Sequence, residues 1–283
     1  VRPPFTYYGG KMGLARRIVD LLPPHRSFIE PFAGSLAVLF AKHPARHEII
    51  NDRDDALVAF WRVLRDRPGD LERVCALTPH ARTEFDAADL DAAVDDLELA
   101  RRFWVRVNQS FAKTSGQRTG WSITTARSQS VPGSILGRLG RFSAAAERLA
   151  GVSIEHCDAA ELVDRLATPD TVIYADPPYV HATRQRDGVG KGGDYRHEMT
   201  DAGHRRLADA LRATPATVVL SGYAGDLYDD LYGDWWHCDF AVTAHSSHAV
   251  ATSRAGRVER IWSNRDLAGG RLPWGVDQRG GAA

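Results

Sequence analysis

An apolar run that stops on a carboxylate, two prolines and an aromatic ring is the stretch of this sequence best placed to do chemistry: Val172-Ile173-Tyr174-Ala175-Asp176-Pro177-Pro178-Tyr179. The prolines lack a backbone N–H and fix φ, so a buried strand has to end at or near Asp176. The Asp176 carboxylate and the Pro177 carbonyl then offer two acceptors to one amine, and Tyr179 offers a flat face to the ring that carries it. That is a holder for a planar base bearing an NH2 group. Taken alone, Asp-Pro-Pro reads first as a stiff turn; the residues elsewhere in the chain favour the holder.

Three other stretches place chemistry-bearing residues at the ends of short elements. Phe5-Thr6-Tyr7-Tyr8-Gly9-Gly10-Lys11 precedes a helical pattern at Leu14, Ile18, Leu21 and Leu22 that Pro23-Pro24 stops. Its glycines allow close backbone approach, and Lys11 at a helix start can meet a carboxylate or phosphate, although Gly-Gly-Lys by itself is more often a turn. Next, Ser27 to Ile29 reads as a strand, Glu30-Pro31-Phe32-Ala33-Gly34-Ser35 as a small-residue turn, and Leu36 to Phe40 as a buried helix. In such βα units a ligand lies at the carboxyl ends of the strands, here beside Gly34 and Ser35. The third stretch, Glu48 to Asp52, is a strand ending in an acid before a helix from Asp54 to Arg65; Asp52 either takes a ribose hydroxyl or caps that helix. Neither a phosphate-binding Gly-x-x-x-x-Gly-Lys-Ser/Thr loop nor a Gly-x-Gly-x-x-Gly dinucleotide turn is present, so a nicotinamide cofactor is not expected.

The rest of the chain supplies the frame. Strands are expected at Val152 to His156, Thr217 to Tyr223, Phe240 to Ala244 and Val258 to Ser263, with helices through Leu162 and Leu166 and from Asp201 to Ala213, the latter capped by Thr200. Residues 181–200, with Gly188, Gly190, Arg184, Arg186, Lys191 and Arg196, read as a mobile loop beside the site or as a disordered insertion. Residues 266–283 read as a disordered tail.

A chain of 283 residues with 43% hydrophobic content has room for one large and one smaller domain. Three widely spaced cysteines fit a reducing cytoplasm and suggest no zinc site, and His245 and His248 lack companion ligands, so no metal is expected. No apolar run approaches 18 residues and no leader opens the chain, which predicts neither membrane insertion nor secretion. The net charge of zero hides an uneven distribution. Residues 66–98 are acidic, whereas residues 101–148 are arginine-rich. Within the basic half, 108–121 lacks periodicity and carries the side-chain types that read bases and phosphates. Asn108, Gln109, Lys113, Gln117 and Arg118, with Arg184 and Lys191 of the later loop, are the candidate DNA contacts, and a plain solvated loop is the alternative.

In this order, Tyr-Gly-Gly-Lys, Glu-Pro-Phe-Ala-Gly-Ser, Asn-Asp and Asp-Pro-Pro-Tyr resemble the motifs of Dam-like DNA adenine methyltransferases, from Phe5 to about Asn264. The resemblance implies an α/β, Rossmann-like methyltransferase fold with a seven-stranded, mostly parallel sheet and a small, mainly helical target-recognition insertion. Residues 1–65 and 151–265 would form the catalytic domain and 66–150 the insertion. It implies S-adenosyl-L-methionine as cofactor, with Tyr7 and Lys11 at its methionine part, Glu30, Phe32, Gly34 and Ser35 framing it, Asp52 on the ribose, Asp158 near its adenine, and Asp176 also among the cofactor-binding residues. Asp176, Pro177, Pro178 and Tyr179 would hold a base flipped out of double-stranded DNA. A cytosine-amino or RNA-base methyltransferase, or a silent DNA-binding module, are the alternatives. A monomer and a restriction endonuclease partner in the cell are both compatible with the chain. Two features depart from the pattern: Leu36 stands where many relatives carry a further glycine, and the insertion does not match that of the GATC-reading enzymes.

Overall fold

A computed structural model describes residues 1–111, 113–115, 120–123, 130–179, 196–242 and 257–267. Its centre is a seven-stranded sheet in the order β3-β2-β1-β4-β5-β7-β6. The strands are β1 (Ser27–Glu30), β2 (His47–Asn51), β3 (Val152–Glu155), β4 (Thr171–Ala175), β5 (Thr217–Gly222), β6 (Trp236–Val242) and β7 (Arg257–Ser263). Every neighbouring pair from β3 to β5 is parallel, and β7 runs antiparallel to both β5 and β6. The expected α/β class and the seven-stranded, mostly parallel sheet are therefore present.

The sequence explains this sheet locally. All five residues of β4 are buried, as a continuous apolar run in a two-sided parallel sheet has to be. Helices α1 (Ala15–Val19), α2 (Ala37–Ala41), α3 (Asp55–Asp66), α9 (Ala159–Leu166), α10 (Asp201–Ala213) and α11 (Asp226–Tyr232) accompany the strands. Asp54 caps α3, accepting from the backbone N–H groups of Ala56 and Leu57, and this leaves Asp52 free of the capping role. Strand order reverses between β1 and β4, so their carboxyl ends diverge and open a crevice, where ligands of such folds bind.

Helices α4 (Pro68–Leu77), α5 (Arg82–Ala87), α6 (Asp96–Gln109), α7 (Val131–Leu139) and α8 (Phe142–Leu149) lie between β2 and β3, in the stretch read from the sequence as an insertion. Phe103 and Trp104 of α6 and Phe142 of α8 pack on Phe60 and Trp61 of α3 and on Phe5, within one continuous apolar cluster. These helices share their core with the elements that flank the sheet, so packing fixes how they sit against it.

Several expectations change. The amphipathic α11 was not anticipated, and β6 starts four residues before the expected Phe240. Asn108 and Gln109 end α6 instead of opening a loop. Leu267, at the head of the expected tail, is buried against the main core; 268–283 lie outside the described residues, as do 181–195, 245 and 248. Leu36 adopts φ 55° and ψ 34° and is fully buried. A left-handed leucine costs about 1–2 kcal/mol, so the turn a glycine would take is kept here by burying the side chain.

Candidate active site

The crevice is a cavity of about 460 Å³, within the range of small-molecule sites. Tyr7, Lys11, Glu30, Phe32, Gly34, Ser35, Asp52, Asp158 and Asp176 all line it, which brings together every residue expected to meet the cofactor. Gly34 has φ +44°, a conformation that glycine takes without strain, and its N–H donates to the Asp52 carboxylate at 3.2 Å. Gly10 is needed for space, because a Cβ there would come within 2.9 Å of the Tyr7 carbonyl oxygen.

At one end of the cavity the acids are compensated by a side chain. The Lys11 ammonium donates to both oxygens of Asp176, at 2.8 and 3.0 Å, to the Gly9 carbonyl at 3.0 Å, and to the Tyr179 hydroxyl. It also lies 3.5 Å from Glu259, which accepts the Tyr179 hydroxyl proton. Ser221, on β5, donates to Asp176 at 2.8 Å and pairs with the Tyr174 hydroxyl at 3.1 Å. Burial alone would push the Lys11 ammonium down, but Asp176 and Glu259 outweigh it and hold its pKa above the ordinary lysine value. Burial, then the nearby Asp176 and Glu259 charges, push the Tyr179 phenol well up, so it remains an O–H donor. Burial also raises the Glu30 carboxyl well above the usual range, with Asp176 adding to the effect; its Oε2 accepts the Leu39 N–H.

At the other end the compensation comes from the backbone. Asp52 accepts from the Gly34 and Asp54 N–H groups, yet burial lifts its pKa to about 6. Asp158 caps α9 and pairs with Arg206; although burial opposes this, the Arg206 guanidinium and the cap hold it below the usual range. Arg196 closes the rim, binding Asp54 at 2.5 Å, Asp55 at 3.0 Å and Asp91 of the insertion at 2.5 Å. Asp54, Asp55 and His197 bring ligand-type atoms within 4.8 Å of one another, but Arg196 already occupies both carboxylates. The Tyr7 hydroxyl reaches the Asp54 carboxylate through the Ser115 hydroxyl, with both steps at 3.0 Å.

Of the four motif residues, Asp176 and Pro178 line the cavity, Pro177 is buried, and Tyr179 lies edge to face with Tyr223 at 4.6 Å. Ser221, Glu259 and Arg196 were not singled out as site residues in the sequence. Ser221 and Glu259 carry no local motif, whereas Arg196 appeared only as one of several loop cations.

The expected DNA contacts divide differently. Asn108 and Gln109 are buried, and their amides are committed inside the protein. Asn108 donates to the Trp104 carbonyl and accepts from Arg138, while Gln109 donates to the Pro79 carbonyl and accepts from Trp121. Neither can reach a base edge, which corrects the reading of both as loop contacts. Lys113 is half-buried, with its ammonium on the Asn108 carbonyl at 2.8 Å. Gln117, Arg118, Arg184 and Lys191 lie outside the described residues. The basic half of the insertion is also largely spent internally: Arg101 and Arg102 pair with Glu98, and Arg148 with Glu48. Among the described residues, no helix is long and apolar enough to cross a membrane.

Known proteins resemble this chain along most of its length. A family model described as D12 class N6 adenine-specific DNA methyltransferase matches residues 7–244. A type II methyltransferase of Lactococcus lactis subsp. cremoris is 26% identical over 277 residues, covering 91% of this chain and 93% of its own length.

Proposed function

The chain belongs to the D12 class N6 adenine-specific DNA methyltransferase family and is an adenine-specific DNA methyltransferase, and from this premise we propose how its residues perform the transfer. S-adenosyl-L-methionine fits the cavity by its donor set, with acids and backbone turns at one end and a buried ammonium at the other. When bound, it supplies an electrophilic sulfonium methyl group. Lys11 and Tyr7 would hold its methionine part, Glu30, Phe32, Gly34 and Ser35 would frame it, Asp52 would take ribose hydroxyls, and Asp158 would lie near its adenine.

The observation that carries the reading is the nitrogen already bonded to both oxygens of Asp176 beside the Tyr179 ring. A target adenine amine would replace the Lys11 ammonium there, donating one proton to Asp176 and one to the Pro177 carbonyl. The amine is a weak nucleophile because its lone pair is delocalised into the ring. Accepting both protons favours the pyramidal form and stabilises the positive charge that develops as it attacks. Ser221, bonded to the same carboxylate, fixes its orientation. Inside a duplex the amine is not accessible in line, so the base is flipped out and the Tyr179 ring replaces part of the lost stacking. Lys113, Gln117, Arg118, Arg184 and Lys191 are the proposed contacts to double-stranded DNA. The free cysteines suit the cytoplasm, and a matching restriction endonuclease is the proposed cellular partner.

The test is transfer of labelled methyl from S-adenosylmethionine to unmethylated genomic DNA, followed by digestion and identification of the modified nucleoside. Label in N6-methyladenine supports the proposal. Label in methylcytosine, or only in added RNA, contradicts it.

A further inference from the structure

Glu259 is a carboxylate the transfer scheme does not use, and its position is costly. It is 3% exposed, near the start of β7, with the Tyr179 hydroxyl and the Lys11 ammonium as neighbours. Because β7 is antiparallel to β5, with Gly222 opposite Arg260, the start of β7 lies at the carboxyl ends of the parallel strands, beside Asp176. A buried carboxylate must be compensated for its lost hydration, so packing alone would favour an apolar residue here. Lys11 is shared between two acids and lies closer to Asp176, at 2.8 Å, than to Glu259, at 3.5 Å. If the target amine is to use Asp176, the ammonium needs another acceptor within reach of its flexible stem.

Building on the role of Asp176 given above, we propose that Glu259 is a positioning residue: it anchors the Tyr179 hydroxyl and takes over the Lys11 ammonium when Asp176 accepts the target amine. The carboxylate thus keeps Lys11 charged and out of the place the adenine amine needs, and it sets the ring that covers the base. The acids and phenols facing Lys11 are Asp176 and Tyr179 beyond β4, Tyr223 beyond β5, and Glu259 on β7. Burial raises the Glu259 carboxyl, and the Lys11 ammonium draws it back toward the ordinary range.

Glu259→Gln keeps the shape and an oxygen acceptor for Tyr179 while removing the charge. In the full chain, single-turnover methylation of genomic DNA at pH 7.5 is expected to fall about 30-fold, with S-adenosylmethionine affinity within about threefold of wild type. Without Glu259 the acid left to Lys11 is Asp176, the one the target amine needs, so Glu259→Asp, which restores the charge, is expected to recover most of the lost rate while Glu259→Gln does not. A Glu259→Gln rate within about threefold of wild type at pH 7.5, or a Glu259→Asp variant no faster than Glu259→Gln, overturns the proposal. If Glu259→Gln fails to bind cofactor because it is unfolded, Tyr179→Phe removes the hydroxyl that Glu259 anchors. An unchanged rate in that variant is equally contrary. Asp176→Ala separates the two levels: if it still methylates adenine, the reading of Asp176 fails, whereas if it is inactive and Glu259→Gln is not impaired, only the role of Glu259 fails.

Discussion

The two ends of the cavity keep their acids in opposite ways. Asp176 is balanced by a long, movable side chain that it shares with Glu259. Asp52 is balanced by backbone N–H groups fixed by the Gly34 turn and the start of α3, and it retains a raised pKa of about 6. A cation on a flexible stem can give up its place to a ligand amine. Backbone donors cannot move, so they suit a carboxylate that is held still to receive ligand hydroxyls. The difference separates the end where bonds change from the end where the cofactor is gripped.

The contrast breaks most severely at Lys11. Lys11→Ala leaves Asp176 and Glu259 buried without their cation, and single-turnover methylation should fall about 100-fold. At the other end, Asp52→Asn keeps an oxygen for the Gly34 N–H but loses the charge toward the ribose. S-adenosylmethionine affinity, measured by calorimetry, should weaken about tenfold. The same substitution should stabilise the ligand-free protein. A carboxylate whose folded-state pKa lies above its ordinary value binds more protons when folded, so its contribution to stability is lost as pH rises from about 4 to about 6. Removing it should raise the unfolding free energy at pH 7.5 by about 1–2 kcal/mol in urea titrations, allowing for its partial exposure.

A pH series sharpens the same point. Wild-type cofactor affinity should fall as pH drops through about 6 and Asp52 protonates, whereas Asp52→Asn should lack that step. The smallest effect is expected at the rim. Arg196→Ala should speed cofactor dissociation about threefold in stopped-flow measurements, because two of the three acids it ties, Asp55 and Asp91, are exposed.

What the sequence disclosed follows from topology. In a parallel sheet every strand delivers its last residues to the same edge, so reading along Glu30, Asp52, Asp158 and Asp176 gathers the cavity lining without a structure. Glu259 escaped because an antiparallel strand brings its beginning to that edge, and an acid there has no positional signature. Ser221 sits inside a strand and is chosen by register alone. In the insertion the logic inverts: Asn108 and Gln109 have the side chains of base readers, yet they satisfy buried carbonyls at the end of α6. The arginines of 101–148 looked like a DNA surface in composition, but several pair with the acids that precede them in the chain. Composition registers charge and not its partner.

The central claim is that Asp176 acts on the target amine and not on the cofactor's hold. It is tested most directly by measuring, on one preparation of Asp176→Ala, both S-adenosylmethionine affinity and single-turnover transfer to DNA adenine. The account predicts affinity within about threefold of wild type and a transfer rate reduced by at least about 1,000-fold. Transfer within about tenfold of wild type, or loss of cofactor binding in proportion to loss of transfer, would contradict it.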